Sequence, residues 1–200
     1  MKTESIRDTL KMLFGDKDNY SQDEIDTINF LSINRFDIVG DLQEINYNDL
    51  LNFSNLEHLT IQQCVLGDEE ISILSKLKKL KSLTLLFCEF EGDYQKLFQL
   101  ELLKDLCFEG TKINLSVLNG KMFDSLIIAQ TEILEKVSFF ANRFDISRAD
   151  VKNWGFLENR INTLVVSYKQ YRNNAFLSEY RGHIIVMEDD TDKIREEVNV

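Results

Sequence analysis

His58 and His183 are the only histidines of the chain, so histidine acid–base catalysis or a histidine-bearing metal site would have to use one of them. No nucleophile elbow, phosphate-binding glycine loop or His-Glu-x-x-His pair surrounds either. Asp16-Lys17-Asp18-Asn19 opens like a calcium loop, but the glycine at loop position 6 and the glutamate at position 12 are missing. That segment reads as a solvated turn. Asp189-Asp190-Thr191-Asp192 could hold a divalent cation weakly, although a polar end to the last strand is the simpler reading. Three cysteines, Cys64, Cys88 and Cys107, are odd in number and widely spaced, which argues against a disulfide framework. A metal would need further ligands, and none is spaced to reach the cysteines. The expectation is a chain with no catalytic residues, no metal and no cofactor.

The elements that hold these residues follow from a recurring pattern. Leu56-x-x-Leu59-x-Ile61-x-x-Cys64-x-Leu66 returns as Leu80-x-x-Leu83-x-Leu85-x-x-Cys88-x-Phe90. It returns again as Leu103-x-x-Leu106-x-Phe108-x-x-Thr111-x-Ile113 and as Phe123-x-x-Leu126-x-Ile128-x-x-Thr131-x-Ile133. Partial matches begin at Ile33, Ala141, Ile161 and Arg181; a competing frame at Leu134 would leave too little chain for the preceding repeat. The pattern resembles the leucine-rich repeat, Leu-x-x-Leu-x-Leu-x-x-Asn/Cys-x-Leu.

The resemblance implies an α/β leucine-rich repeat solenoid, a horseshoe with about eight short parallel strands on its concave face. The two Leu-type residues of each strand point inward by period-two alternation. Cys64 and Cys88 share a repeat position and are expected as stacked interior thiols. His58 and His183 then fall six repeats apart, roughly 30 Å at strand spacing, too far to share a site. Return segments are expected to be helical where long, as at Asp68–Leu77 with Asp68 as cap, and turn-like or 3₁₀ where short, as at Leu115–Leu118. Residues 1–32 read as an N-terminal helical cap. Its first helix carries Ile6, Leu10, Leu13 and Phe14 on one side, and a Ser21-x-x-Glu24 capping box opens a second with Ile25, Ile28, Phe30 and Leu31. Residues 33–200 form the repeat domain in a single structural unit, ending in a short helix or loose tail from Lys193. Trp154 is expected to pack in a return segment.

Composition limits the partners. The hydrophobic and charged fractions, 44% and 28%, are those of a globular protein, and no window of 18 uninterrupted apolar residues occurs. No membrane association is expected. Met1-Lys2-Thr3-Glu4-Ser5 lacks an apolar signal core, so cytoplasmic residence is the expectation. A net charge of -11 without concentrated Lys and Arg argues against nucleic acid. The same charge would steer a basic protein partner, or serve only solubility.

The family resemblance implies protein recognition on the concave face, without chemistry of its own. Outward strand positions there include Thr84, Leu86, Asp105, Glu109, Ile127, Arg143, Asp145 and Val165, with Phe87 and Tyr168 adjoining. Leu86, Phe87, Ile127, Val165 and Tyr168 would make a partly apolar patch with aromatic anchors. The bland alternative is that such residues favour strands for packing reasons. Asp105 and Glu109 could meet a basic partner, while Arg143 and Asp145 could pair with each other. The expected function is a non-enzymatic protein–protein interaction module. An acidic inhibitor or immunity-type protein that masks a basic toxin or enzyme is the alternative, and an enzyme or ligand sensor is a third.

Overall fold

Strands form where the apolar pairs stand. The computed structural model describes residues 4–34, 46–134, 137–155, 160–189 and 194–199. The chain is mixed α/β with mostly parallel strand pairing, and it divides into two compact units, Met1–Leu103 and Lys104–Val200.

The first unit opens with helix α1 (Glu4–Phe14) and a single turn, α2 (Gln22–Ile25), on which the Ser21/Glu24 capping box is formed. Three parallel strands follow, β1 (Phe30–Asn34), β2 (His58–Gln62) and β4 (Ser82–Leu86). Leu31, Leu59 and Leu83 stack in register, as do Ile33, Ile61 and Leu85, and all six are buried. Burial of each such side chain contributes about 1.5–3 kcal/mol. Between β2 and β4 lie β3 (Val65–Leu66) and α3 (Asp68–Leu74); β5 (Glu89–Phe90), paired with β3, follows β4. Return segments Tyr47–Asn52 and Tyr94–Gln99 are 3₁₀ turns. Gly92 runs so close to α3 that an added Cβ would lie 2.5 Å from the Asp68 nitrogen, so only glycine fits there.

The second unit contains β6 (Asp105–Glu109), β7 (Met122–Ala129), β8 (Glu132–Ile133), β9 (Phe140–Asp145), β10 (Asp150–Val151), β11 (Arg160–Ser167), α4 (Tyr168–Asn173), β12 (His183–Met187) and β13 (Ile194–Asn199). Its main sheet runs β6-β7-β9-β11-β12-β13 and does not close into a barrel. Pairing is parallel except for the antiparallel β13. Leu106, Leu126, Phe144, Leu164 and Ile184 form one buried row across five strands. Phe139 meets Phe144 edge-on at 5.0 Å and Phe123 at 6.4 Å, extending the core beneath β7 and β9.

One turn geometry recurs after β2, β4, β6 and β7. Gln63, Phe87, Gly110 and Gln130 have φ of 56°, 53°, 59° and 50°, the left-handed region. The next residue is Cys64, Cys88, Thr111 or Thr131, and its side chain donates to the carbonyl two residues back, at 3.2, 3.5, 3.3 and 3.1 Å. Cys88 also donates to the Ile61 carbonyl, and Thr131 to that of Thr111, each at 3.3 Å. Thiol and hydroxyl thus do one job: each adds a side-chain donor to a strand-end carbonyl beside the left-handed turn, and two of these carbonyls, of Leu86 and Ala129, also accept from the backbone of Gln63 and Gly110.

Several expectations are corrected. Phe30 and Leu31 belong to a strand rather than a second helix. Since Leu31 pairs Leu59 and Ile33 pairs Ile61, the first frame begins at the buried Ile28, not at Ile33. Arg35, Phe36, Asp37 and Ile38 lie outside the described residues. Leu13 is exposed on α1, whereas Ile6 and Leu10 are buried and Phe14 is half-buried. Gly67, not Asp68, stands at the N-cap of α3, and the Asp68 carboxylate instead accepts from the Asp93 backbone at 2.9 Å. The chain end forms β13, because Ile194–Asn199 completes the hydrogen bonding of β12, which would otherwise be an open edge. Among the described residues no helix is long and apolar enough to cross a membrane.

Candidate functional site

Alternation fixes what each strand shows to solvent. In the first unit Thr84 and Leu86 are half-buried at the outward positions of β4. Phe87 directly after them is 45% exposed at φ 53°. Two costs coincide there. A left-handed conformation costs a residue with a Cβ about 1–2 kcal/mol, and a phenyl ring left partly in water forgoes part of its burial energy. The equivalent turn positions carry Gln63, Gly110 and Gln130, none of them apolar.

In the second unit the outward residues form two rows. Asp105, Ser125, Arg143, Thr163 and His183 pair in register, and Cys107, Ile127, Asp145, Val165 and Ile185 pair beside them. Ile127 is half-buried between Cys107 and Asp145. Val165 is a correction: it was expected outward and accessible, but it is 0% exposed. A short branched side chain flanked by Asp145 and Ile185 on the paired strands is shaded by its longer neighbours.

Two of the three carboxylates that the sequence singled out, Glu109 and Asp145, are held within the unit. Glu109 accepts from Gln130 Nε2 at 2.8 Å and pairs with Arg148 at 3.5 Å. Asp145 pairs with Arg143 at 3.2 Å and accepts from the Ser147 backbone and hydroxyl at 3.1 and 2.8 Å. Cys107 sits in the same field. Burial first, and then Glu109 and Asp145, push its thiol up to about 11 against the opposing pull of Arg148. It is protonated at neutral pH and is a poor nucleophile.

Tyr168, the first residue of α4, is also engaged. Arg195 of β13 lies 3.6 Å from the ring centroid and Arg172 lies 5.6 Å away. The ring lies near two guanidinium groups and serves a cation–π contact rather than standing free as an anchor.

Sequence reasoning missed the partners of these groups: Gln130, Arg148, Ser147, Arg172 and Arg195. Gln130 had a usable signal, since it occupies the turn position equivalent to Gln63 and Phe87. Arg195 had none, because β13 carries no part of the recurring pattern. Among the described residues no group of three His, Cys, Asp or Glu side chains is arranged to hold a metal. The sequence matches no protein-family model, and no curated protein matches it significantly.

Proposed function

We propose that the chain is a non-enzymatic protein-interaction module of leucine-rich repeat type that recognises a partner protein through outward strand-face residues, with Phe87 as an anchor. The observation that carries this reading is the pairing of exposure and backbone strain at Phe87. Strain held at a surface aromatic points to a use for that aromatic, and aromatic anchors dominate interface energetics. Leu86 and Thr84 adjoin it. In the second unit Ile127 and the pre-ordered carboxylates of Glu109 and Asp145 offer apolar and acidic contacts. Carboxylates already fixed by neighbours lose little freedom on binding. No chemical step is assigned, and residence in the cytoplasm remains part of the proposal.

The test is a tagged pull-down from native lysate with wild type and a folded Phe87→Asp/Ile127→Asp variant. A protein retained by the wild type and lost by the variant supports the reading. The same protein retained equally by both refutes the assignment of these residues.

The net charge of -11 favours a second form, in which the partner is a basic toxin or enzyme that the chain masks. Association would then slow steeply as salt rises. An association rate unchanged between low and high salt would count against it.

A further inference from the structure

We propose that a cleft of the second unit, between the chain following β10 and the 3₁₀ turn Ala175–Glu179, binds a small organic anion with a flat apolar body. The cleft has a volume of about 890 Å³, within the range of small-molecule sites. Its base is formed by the buried Ile161 and Tyr180, the tyrosine hydroxyl donating to the Ile161 carbonyl. That bond fixes the start of β11 to the segment entering β12. Gly182 adjoins it, where an added Cβ would lie 2.8 Å from the Tyr180 ring, so the wall keeps its shape.

Two aromatics face the opening. Trp154 is half-buried and Phe176 is 64% exposed. Arg160 and Arg181 are exposed at the rim, and among the described residues neither has an ion-pair partner. Lys152, also lining the cleft, is drawn to Asp150 at 2.7 Å, and among the described residues Glu179 is the one acidic residue of the lining. In a chain of net charge -11, two unpaired guanidinium groups beside two aromatic rings are a local reversal of sign. Guanidinium forks match carboxylate and phosphate geometry, while the rings accept a planar body by stacking. An anion without a ring leaves Phe176 in water, and a ring without an anion leaves the arginines unpaired. The cleft is therefore specific for both features in one ligand. Its residues are distinct from Phe87 and the outward strand rows.

Trp154 is the only tryptophan and lines this cleft; it also borders a second cleft with Arg148 and Gln170, so its emission is read together with the Arg160/Arg181 variant, whose residues line the first cleft and not the second. The probes are AMP, a phosphate on a planar base, and phenylacetate, a carboxylate on a ring. Adenosine and inorganic phosphate supply each feature singly. The expected result is a saturable change in Trp154 emission, matched by calorimetric heat, with AMP, phenylacetate or both. Which of the two binds identifies phosphate or carboxylate as the anion. Adenosine and phosphate should bind at least about tenfold more weakly, and Arg160→Gln/Arg181→Gln should weaken binding of the effective probe by at least about tenfold. Both arginines are exposed, so the variant keeps the wild-type thermal midpoint. Absence of saturable emission change and of heat with both probes up to about 5 mM, a bound set by millimolar affinity being the weak limit of recognition, overturns the proposal. So does equal affinity in the folded variant.

Discussion

Phe87 and Cys88 are chain neighbours in opposite environments: the phenyl ring is 45% exposed on a left-handed backbone, while the Cys88 thiol is 1% exposed and bridges the carbonyls of Leu86 and Ile61. The buried thiol anchors the turn, and the turn holds the ring out. Asparagine tolerates the left-handed region better than phenylalanine. Phe87→Asn should therefore leave folding stability unchanged or raise it by up to about 1 kcal/mol, because left-handed strain of about 1–2 kcal/mol is partly relieved. Partner binding should fall at least about tenfold, as expected for an anchor. Urea midpoints and a binding titration would separate the two effects.

Val165 and Ile127 were expected on one face, yet Val165 is wholly buried and Ile127 is half-buried. Val165→Asp should cost more than about 3 kcal/mol by burying an unpaired carboxylate. Ile127→Asp should cost about 1 kcal/mol. Urea unfolding of the two variants checks the ranking, and equal costs would contradict the burial of Val165.

Burial pushes the Cys88 thiol up to about 11 from an ordinary value of 9.0. The unfolded chain releases this proton above pH 9, whereas the folded chain keeps it until about pH 11. The contribution to stability is thus whole below pH 9 and is lost as pH rises to about 11, at up to about 1.4 kcal/mol per pH unit. Cys88→Thr keeps a donor in the turn, as Thr111 and Thr131 do, and removes this titration. Under reducing conditions the variant should lose about 2 kcal/mol less stability than wild type between pH 8.5 and 10.5. Parallel pH dependences would refute the assignment.

Arg195 stands over the Tyr168 ring and ties β13 to the start of α4. Tyr168→Leu should lower stability by only about 0.5–1 kcal/mol. It should also speed amide exchange in Ile194–Asn199 relative to His183–Thr163 pairing in the same sheet. Unchanged exchange in β13 would show that the ladder to β12 alone holds it.

Strands β2, β4, β6 and β7 were legible because burial selects the same two positions in each: Leu59 and Ile61, Leu83 and Leu85, Leu106 and Phe108, Leu126 and Ile128 are all inside. Ala141 was rightly preferred to Leu134 as a frame, since Ala141 pairs with Phe123 and Ile161. The first strand was misread because the Ser21 capping box is real but opens only one helical turn, and local capping says nothing about where a helix ends. Ile28-x-x-Leu31-x-Ile33 carried the correct frame. The candidate site was less legible. Alternation gives the side of the sheet but not the shading of Val165 by its neighbours, nor Arg195, which reaches the Tyr168 ring from distant chain. The cleft at Trp154 was invisible, since apart from the start of β11 its residues come from return segments without periodicity.

The central claim is that Phe87 contacts a partner protein, and photo-crosslinking from that position tests it most directly. A benzophenone amino acid placed at Phe87 should, on irradiation in native lysate, capture one protein species that excess unlabelled wild type competes away. The same probe at the exposed Met12, on α1, should not capture it. Capture of the same set of proteins from both positions, or none from Phe87, would contradict the account.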